Sequence, residues 1–445
     1  MIVADLRAST QTDRREGETM ADSAIELTGE RRETGRRPFH GWYMVAAAFV
    51  VMMVGFGAAY SFPVFFEPLA SEFAAGRGDT SMILSISGFL YFFLGLWSGT
   101  ASDRIGARPV VIFGTLVCAA GLLLASRAES LWQVYWGYGL GVGVGVGCMY
   151  VPAVGVVQRW FARKRSTASG LAITGIGVGT FFGPLAAHEL IVVTDWRTAY
   201  VGLAVVVAVL GVAAGAVLVN SPASRGQFPD GADRAPGGAE GGPSLSVGEA
   251  RRTFPFWMIL VSASAISIGL FVPFGHLVPF ALDLGLSPAE AATVFSGVGI
   301  GSIFGRMALG PVAQAWGRQP VLAFLYLGLA IGFVGWNFAT TFIELMTFSI
   351  AFGTLYGGFV ALSPTVLADY FGVGHIGSIV GNVYASVALG ALLGPAIAGY
   401  LYDIFGTYQW PIMVGAILCL IAAALIVLPK SPTAWREARF GPAQD

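Results

Sequence analysis

Long apolar stretches separated by short polar turns dominate the chain. Residues 110–126, 131–157 and 199–219 contain no Asp, Glu, Lys or Arg. About 20 consecutive apolar residues in a helix cross the hydrocarbon core of a bilayer. The pattern predicts twelve helical spans, which run over residues 42–66, 82–101, 110–126, 131–157, 166–187, 199–219, 254–282, 291–312, 321–339, 342–368, 377–402 and 408–428.

Composition supports a membrane location. Of the 445 residues, 55% are hydrophobic and 11% are charged, whereas soluble domains carry about 25% charged residues. A large soluble core would need amphipathic helices to cover it, and the pattern supplies none. The three cysteines, Cys118, Cys148 and Cys419, lie in apolar segments and lack metal-ligand spacing. We therefore expect an integral membrane protein without a metal, a cofactor, catalytic residues or a nucleic-acid partner, and not an enzyme.

The basic residues predict the orientation of the spans. Seven of the 25 lie in the N-terminal tail and fourteen in the loops and C-terminal tail on the same side, whereas only Arg77, Arg127 and Arg197 fall in loops on the other side. Cytoplasmic loops are enriched in Lys and Arg. Both termini are therefore expected in the cytoplasm, in a multi-pass protein of the plasma membrane. No apolar signal-peptide core precedes the first span, and translation could begin at Met1 or Met20.

The chain repeats itself at an offset of 211 residues. Gly99, Gly106 and Pro109 recur as Gly310, Gly317 and Pro320, and Gly183-Pro184 recurs as Gly394-Pro395. Parallel six-plus-six repeats place a solute site between the halves near the bilayer midplane. The predicted organisation is a disordered cytoplasmic tail (1–38), a six-helix bundle (39–220), a flexible cytoplasmic linker (221–253), a second six-helix bundle (254–428) and a cytoplasmic C-terminal tail (429–445).

The loop after the second span carries a recognisable motif. It reads Gly99-Thr-Ala-Ser-Asp103-Arg104-Ile-Gly106-Ala-Arg108, and on a twelve-helix chain it resembles the motif of the major facilitator superfamily. The resemblance implies the major facilitator fold. It also implies a conformational latch formed by Gly99, Asp103, Arg104, Gly106 and Arg108, in which the aspartate caps a helix of the opposite half. The second copy has Gln314 in place of the aspartate, so its latch is expected to be weaker.

Further motifs resemble the monocarboxylate transporters and their bacterial relatives near the oxalate/formate antiporters. They are Tyr60-Ser-Phe-Pro63, Trp160-Phe-Ala-Arg-Lys-Arg165, Gly275-His-Leu-Val-Pro-Phe280, Gly305-Arg306 and Gly394-Pro395. Together they extend the resemblance over residues 41–428. What it implies is a transporter of small carboxylates that works by alternating access.

Arg306 is the strongest candidate for the substrate site. A charged residue within a span costs at least about 2.5–3.5 kcal/mol and normally faces a wet cavity. In the resembling family an arginine at this position binds the substrate carboxylate, which suits the two parallel donors of a guanidinium. We place Arg306 about one helical turn from the inner end of span eight. The alternative is a structural arginine paired with an acid or a helix C-terminus.

Two departures from the family pattern weaken the expectation of proton symport. Proton-coupled animal members have an aspartate one turn before this arginine and a lysine after the Phe-Pro of span one, where this chain has Ser302 and Val64. His276, inside span seven, could carry a proton because its pKa is ordinarily near 6.5. It could equally be a neutral residue that hydrogen-bonds substrate or backbone.

Other polar and aromatic residues are candidates for lining the cavity, because the resembling family builds its site from the same spans. The full set of predicted substrate-binding residues is Arg306, Tyr60, Phe62, Tyr150, His276, Tyr356, Ser363, Asn382 and Tyr384. Aromatic residues in spans more often pack than bind, so each of them has a structural alternative.

The expected function is transport of small, monocarboxylate-like anions across a lipid bilayer. A proton or a counter-anion is the candidate coupling ion, and a monomer is the expected state. Export of larger amphipathic compounds is the alternative within transport. A membrane sensor or enzyme would require an extramembrane domain or catalytic groups, and the sequence shows neither.

Overall fold

A computed structural model describes residues 39–232 and 243–441. The predicted disordered tail, residues 1–38, lies outside this range. The described residues form helices and no strand. Eleven helices are long and apolar enough to cross a membrane, and a bent pair makes a twelfth span, which confirms the all-α class.

We number the spans α1 to α12. The first half contains α1 (Gly41–Glu72), α2 (Arg77–Phe93 with Gly95–Ile105), α3 (Ala107–Ser126), α4 (Leu131–Trp160), α5 (Arg165–Val193) and α6 (Trp196–Val217). The second half contains α7 (Phe254–Asp283), α8 (Pro288–Trp316), α9 (Arg318–Phe338), α10 (Phe342–Phe371), α11 (Ile376–Phe405) and α12 (Gln409–Val427). A helix over Pro432–Phe440 follows. We call the end where the segment between α6 and α7 lies the linker end, and the opposite end the far end.

Several predicted spans are shorter than the helices in the structure. The predicted second span, 82–101, misses the first turn of α2 and the bend of 46° in it. Span eight was expected to end near residue 312, but α8 continues to Trp316. Arg306 therefore lies ten residues, or about 15 Å, from the end of its helix. It lies deeper in its helix than predicted, because polar residues such as Gln314 belong to the helix and not to the loop after it.

The repeat is visible in the backbone. Gly106 and Gly317 have φ angles of 95° and 90°, and each separates two helices at the linker end. Side chains are strained at such angles, so glycine is required at both copies of the turn. At the far end, Ser287 with Glu290 and Thr341 with Glu344 form capping boxes that start α8 and α10.

Equivalent helices join the two halves. Span α2 packs along α11, and α5 packs along α8, which are the same two positions in each repeat. Within the second half, α8 lies so close to α10 that a Cβ on Gly305 would come 2.0 Å from the carbonyl oxygen of Thr354. This contact fixes the rotation of α8 and so the direction of the neighbouring Arg306.

Both described ends of the segment between the halves are bound to the helices. The Asp230 carboxylate accepts hydrogen bonds from the N–H groups of Ala162, Arg163 and Lys164, between α4 and α5. Partial burial raises the pKa of Asp230, but these donors together outweigh it and lower the pKa from its usual value. At the other end, Leu245 N–H donates to Phe371 O, at the end of α10. The described ends of this segment are therefore hydrogen-bonded to backbone groups before α5 and at the end of α10.

Candidate functional site

Arg306 is a buried cation with two unused donors. Its side chain lies inside α8 with the residue 9% exposed. Nη1 donates a hydrogen bond to Ser302 one turn away, whereas Nε and Nη2 have no partner. None of the ion pairs among the described residues includes Arg306. Because Nε–H and Nη2–H form one edge of the guanidinium, the free donors are arranged as a fork for a planar anion.

Phenol side chains from both halves surround this cation. Tyr150 of α4, Tyr356 of α10 and Tyr384 of α11 interact with it electrostatically, as does Tyr60 of α1. The Tyr356 ring centroid is 5.8 Å from the guanidinium carbon. The hydroxyl oxygens of Tyr60 and Tyr356 lie 3.3 Å apart and connect the two halves directly. Five of the residues predicted from the sequence therefore come together.

Two aromatic residues that the sequence analysis missed complete this cluster. Phe274 of α7 stacks on Tyr60 at a centroid distance of 4.5 Å and meets the Tyr356 ring edge-on at 5.2 Å. Tyr91 of α2 is 2% exposed, and its hydroxyl makes no well-formed hydrogen bond. Phe274 lies two residues before His276 and directly precedes the motif that begins at Gly275. Nothing in the local sequence distinguishes Tyr91 from a packing residue.

Three predicted residues make their contacts elsewhere, although Ser363 lines a small pocket together with Tyr384 of the cluster. Phe62 is buried against Phe66 and Tyr138 in the first half, because residues two apart in a helix point to different sides. The Ser363 hydroxyl donates to its own helix at Phe359 O. The Asn382 side chain donates to Ser378 O and accepts from Arg251, next to the segment that connects the halves.

His276 belongs to the far end of the interface rather than to the Arg306 cluster. It is fully buried. Its Nε2 lies 2.8 Å from Pro395 O of α11 and 3.0 Å from Ser81 Oγ of α2, and its Nδ1 lies 3.1 Å from the hydroxyl of Tyr408. Both ring nitrogens are thus occupied by protein groups, which argues against direct substrate binding in this conformation.

Charged groups close the far end above His276. Arg77 at the start of α2 forms a two-fold hydrogen-bonded ion pair with Asp283 at the end of α7, at 2.6 and 2.8 Å. It also donates to the Tyr408 hydroxyl at 2.6 Å and stacks on the Tyr402 ring. We call Arg77, Asp283, Asp403, Tyr408 and His276 the far-end gate.

Asp403 of α11 caps the first turn of α2 from the opposite half. Its two carboxylate oxygens accept the backbone N–H groups of Arg77 and Gly78 at 2.9 and 2.8 Å. Unpaired N–H groups and the helix dipole make a helix N-terminus favourable for an anion. Two acids of the second half therefore hold the same end of α2.

At the linker end, the ion pairs between described residues stay within each half. Asp103 accepts a hydrogen bond from Arg159 of α4 at 3.1 Å, and Arg318 pairs with Asp369 in the second half. Arg108 donates to Leu218 O. The predicted cap of Asp103 on the opposite half is not formed in this conformation, because its partner is Arg159.

Sequence comparisons identify the family. The chain matches the Major Facilitator Superfamily over residues 47–282 and 257–443. It is 33% identical to bovine (Bos taurus) monocarboxylate transporter 13, covering 87% of this chain and 89% of the relative. It is 31% identical to mouse (Mus musculus) monocarboxylate transporter 11, covering 83% of each chain. It is also 26% identical to MFS-type transporter 1 of the fungus Ophiocordyceps sp. (strain BCC 1869), covering 87% of this chain and 85% of the relative.

A solved structure supports the same fold. The inward-facing, unoccupied bacterial homolog of the human lysosomal transporter Spinster has a TM-score of 0.67 at 15% identity, covering 92% of this chain and all of that one. The chain is therefore a multi-pass membrane transporter and belongs to the Major Facilitator Superfamily. Within it, the similarity to monocarboxylate transporters extends over most of the chain.

Proposed function

We propose that the protein transports small carboxylates and that Arg306 binds the carboxylate group. The observation that carries this proposal is the free Nε and Nη2 edge of a buried guanidinium that has no acidic partner among the described residues. A cation buried without a counter-charge is costly. An anionic substrate that accepts both N–H groups would supply the missing charge. The similarity to monocarboxylate transporters supports the same substrate class.

The surrounding phenols suit a small anion with a short carbon skeleton. Tyr60 and Phe274 stack on each other, Phe274 meets Tyr356 edge-on, and the Tyr356 ring lies 5.8 Å from the guanidinium carbon, so these rings leave room for a small anion only. An anion bound here would contact both halves, because Tyr60 belongs to the first and Arg306 to the second. Binding would thus be coupled to the relative movement of the halves, residues 39–220 and 254–428, in alternating access.

The conformation fits the linker-end-open stage of such a cycle. The cross-half hydrogen bonds between described spans lie at the Tyr60–Tyr356 contact and at the far end. The distribution of basic residues supports a cytoplasmic linker end with both termini on that side, and the membrane we propose is the plasma membrane. In this proposal the monomer is the transporting unit, and a proton or a counter-anion is the coupling ion.

Export of larger amphipathic compounds is the second candidate. The aromatic character of the cluster favours it, since Tyr60, Phe274 and Tyr356 form an apolar surface that would suit such a compound. The buried guanidinium argues against a neutral or cationic one, because nothing in such a compound would neutralise the charge.

Binding of radiolabelled carboxylates to purified Arg306→Lys tests the proposal. Lysine retains the charge but lacks the two-donor fork. Truncating one partner of a buried charge pair costs about 2–5 kcal/mol, which corresponds to about 30-fold to several thousand-fold in affinity. Thermal stability should stay near that of the wild type, because Arg306 has no acid to leave unpaired.

Arg318→Lys is the matched control, since Arg318 pairs with Asp369 away from the site. This substitution should leave carboxylate binding intact. The binding panel contains monocarboxylates, dicarboxylates and neutral amphipathic compounds. Wild-type carboxylate affinity in a well-folded Arg306→Lys protein would refute the assignment. Tight binding of the neutral compounds instead of the acids would favour the exporter.

A further inference from the structure

The far-end gate contains a continuous hydrogen-bond chain with a defined direction. Arg77 Nη1 donates to the Tyr408 oxygen, and the Tyr408 hydroxyl faces His276 Nδ1. On the other side of the ring, His276 Nε2 faces the carbonyl oxygen of Pro395. An arginine only donates and a carbonyl only accepts. The two ends of the chain therefore dictate the positions of the protons between them.

Only the neutral imidazole satisfies this chain. Nε2 must carry a proton in order to donate to Pro395 O, and Nδ1 must then be the acceptor of the Tyr408 O–H. Tyr408 in turn accepts from Arg77, so every donor has an acceptor. A buried ring whose two nitrogens are both matched in this way holds a single tautomer.

A second proton on His276 would disrupt the gate. Nδ1–H would then point at the Tyr408 oxygen, which already accepts from Arg77, and two cations would meet on one oxygen atom. The Tyr408 proton would lose its acceptor as well. Burial would add to the cost, because a charged ring with an unmatched donor is expensive away from water.

The other groups around the imidazole do not offset the positive charge that a second proton would bring. The side facing α1 holds the Phe66 ring, and α2 contributes Ser81 and Arg77. On the remaining sides, α11 contributes Pro395 O and Asp403, and α12 begins next to Tyr408. Asp403 already accepts two backbone N–H groups of α2 and Asp283 already pairs with Arg77. Neither carboxylate contacts the imidazole.

We infer that His276 is a proton-binding site that controls the far-end gate: the closed gate accommodates the neutral ring, and protonation opens it. Because the gate closes only after the proton has left, the proton returns to the side from which it came. His276 therefore acts as a pH sensor of the far side and not as a carrier of a proton across the membrane. This inference concerns the cycle of the proposed function but rests on the gate alone.

Distance measurements between the two halves test the inference without substrate. Spin labels on Glu129→Cys, between α3 and α4, and Ala289→Cys, at the start of α8, report opening of the far end in a protein whose native cysteines are replaced by alanine. If one proton controls the gate, the ratio of the open to the closed population changes at most about tenfold per pH unit. We expect the open population of the wild type to grow as the pH falls from about 8 to about 5.5.

Histidine variants distinguish the titration of His276 from an effect of low pH on other groups of the protein. His276→Gln and His276→Asn should show no pH-dependent opening. His188→Gln, the control, removes another buried histidine, which lies in α5, and should respond like the wild type. A wild-type distance that does not change with pH would overturn the inference even if the variants fail to fold. So would a response retained in well-folded His276→Gln, or a response lost in His188→Gln.

The Arg306→Lys variant distinguishes this inference from the proposed function. It should lose carboxylate binding but keep the pH-dependent opening. Retained carboxylate binding would refute the substrate assignment and leave the sensor standing. Lost pH dependence in this variant would show that the gate titrates through the Arg306 cluster, which would overturn the assignment to His276.

Discussion

The two ends of the bundle use charged residues in opposite ways. At the far end, Arg77 of the first half is paired with Asp283 of the second, and Asp403 of the second half caps the helix that begins at Arg77. At the linker end, Asp103 pairs with Arg159 inside the first half. Only contacts between the halves favour one conformation over another, because contacts inside a half move with it. The far-end contacts therefore hold this conformation, whereas the linker-end contacts stabilise each half separately.

The largest effect is expected from Arg77→Ala. The change removes an ion pair with two hydrogen bonds, the bond to Tyr408 and the stack on Tyr402. Hydrogen bonds to charged groups contribute about 1.5–3 kcal/mol each, and partial exposure reduces their sum to about 2–3 kcal/mol. The open-to-closed ratio at the far end should rise about 30- to 150-fold in the spin-label measurement.

Arg197→Ala provides the control for Arg77→Ala. Arg197 also lies at the far end, but it pairs with Glu72 inside the first half. Its removal should leave the distance distribution unchanged. An equal shift in both variants would show that general loss of charge, and not contact between the halves, sets the conformation.

Asp403→Asn should have an intermediate effect of the same sign. Asparagine keeps one acceptor for the N–H groups of Arg77 and Gly78 but loses the charge that favours a helix N-terminus. That charge contributes about 0.3–1 kcal/mol, which corresponds to a rise of about two- to fivefold in the far-end-open population. The spin-label pair on residues 129 and 289 measures it, and a shift toward the closed state would contradict the capping role.

Asp103→Asn should shift the equilibrium toward the far-end-closed state. The Asp103–Arg159 pair is exposed and lies within one half, so its loss costs about 0–1 kcal/mol and does not favour either conformation directly. The family resemblance implies that Asp103 caps the opposite half when the far end is open. Losing that cap should lower the far-end-open population by up to about fivefold and slow transport. A rise in that population would refute the latch.

The smallest effect is expected for Asp230→Asn. Asparagine tolerates the positive φ angle of 58° at this position, but it loses one acceptor for the N–H groups of the loop between α4 and α5. Because the pKa of Asp230 is lowered, the ionised carboxylate stabilises the fold above its unfolded pKa. That contribution is lost as the pH falls through the lower, folded pKa. Wild type should be slightly more thermostable at pH 7, by at most about 1 kcal/mol. The difference should begin to shrink once the pH falls below about 4 and should vanish below the folded pKa of Asp230.

The sequence by itself determined the membrane class, the twelve spans and the duplication, and it singled out Arg306 as the charge inside a span. These features follow from local properties: apolar runs long enough for a bilayer, glycines required at equivalent turns, and a charge at a costly position. The family motifs extended this to the superfamily, which the comparisons confirm.

Only the tertiary structure decided which residues meet. Tyr60, Phe274 and Tyr356 come from three separate helices, and no periodicity in one helix shows that their rings converge. The same holds for the far end: Arg77 and Asp403 are 326 positions apart in the chain, and each alone looks like an ordinary charge at the end of a span. The contact between Arg77 and Asp403 depends on the angle at which the two halves pack, which is a property of the whole bundle. The same angle places His276 away from the Arg306 cluster.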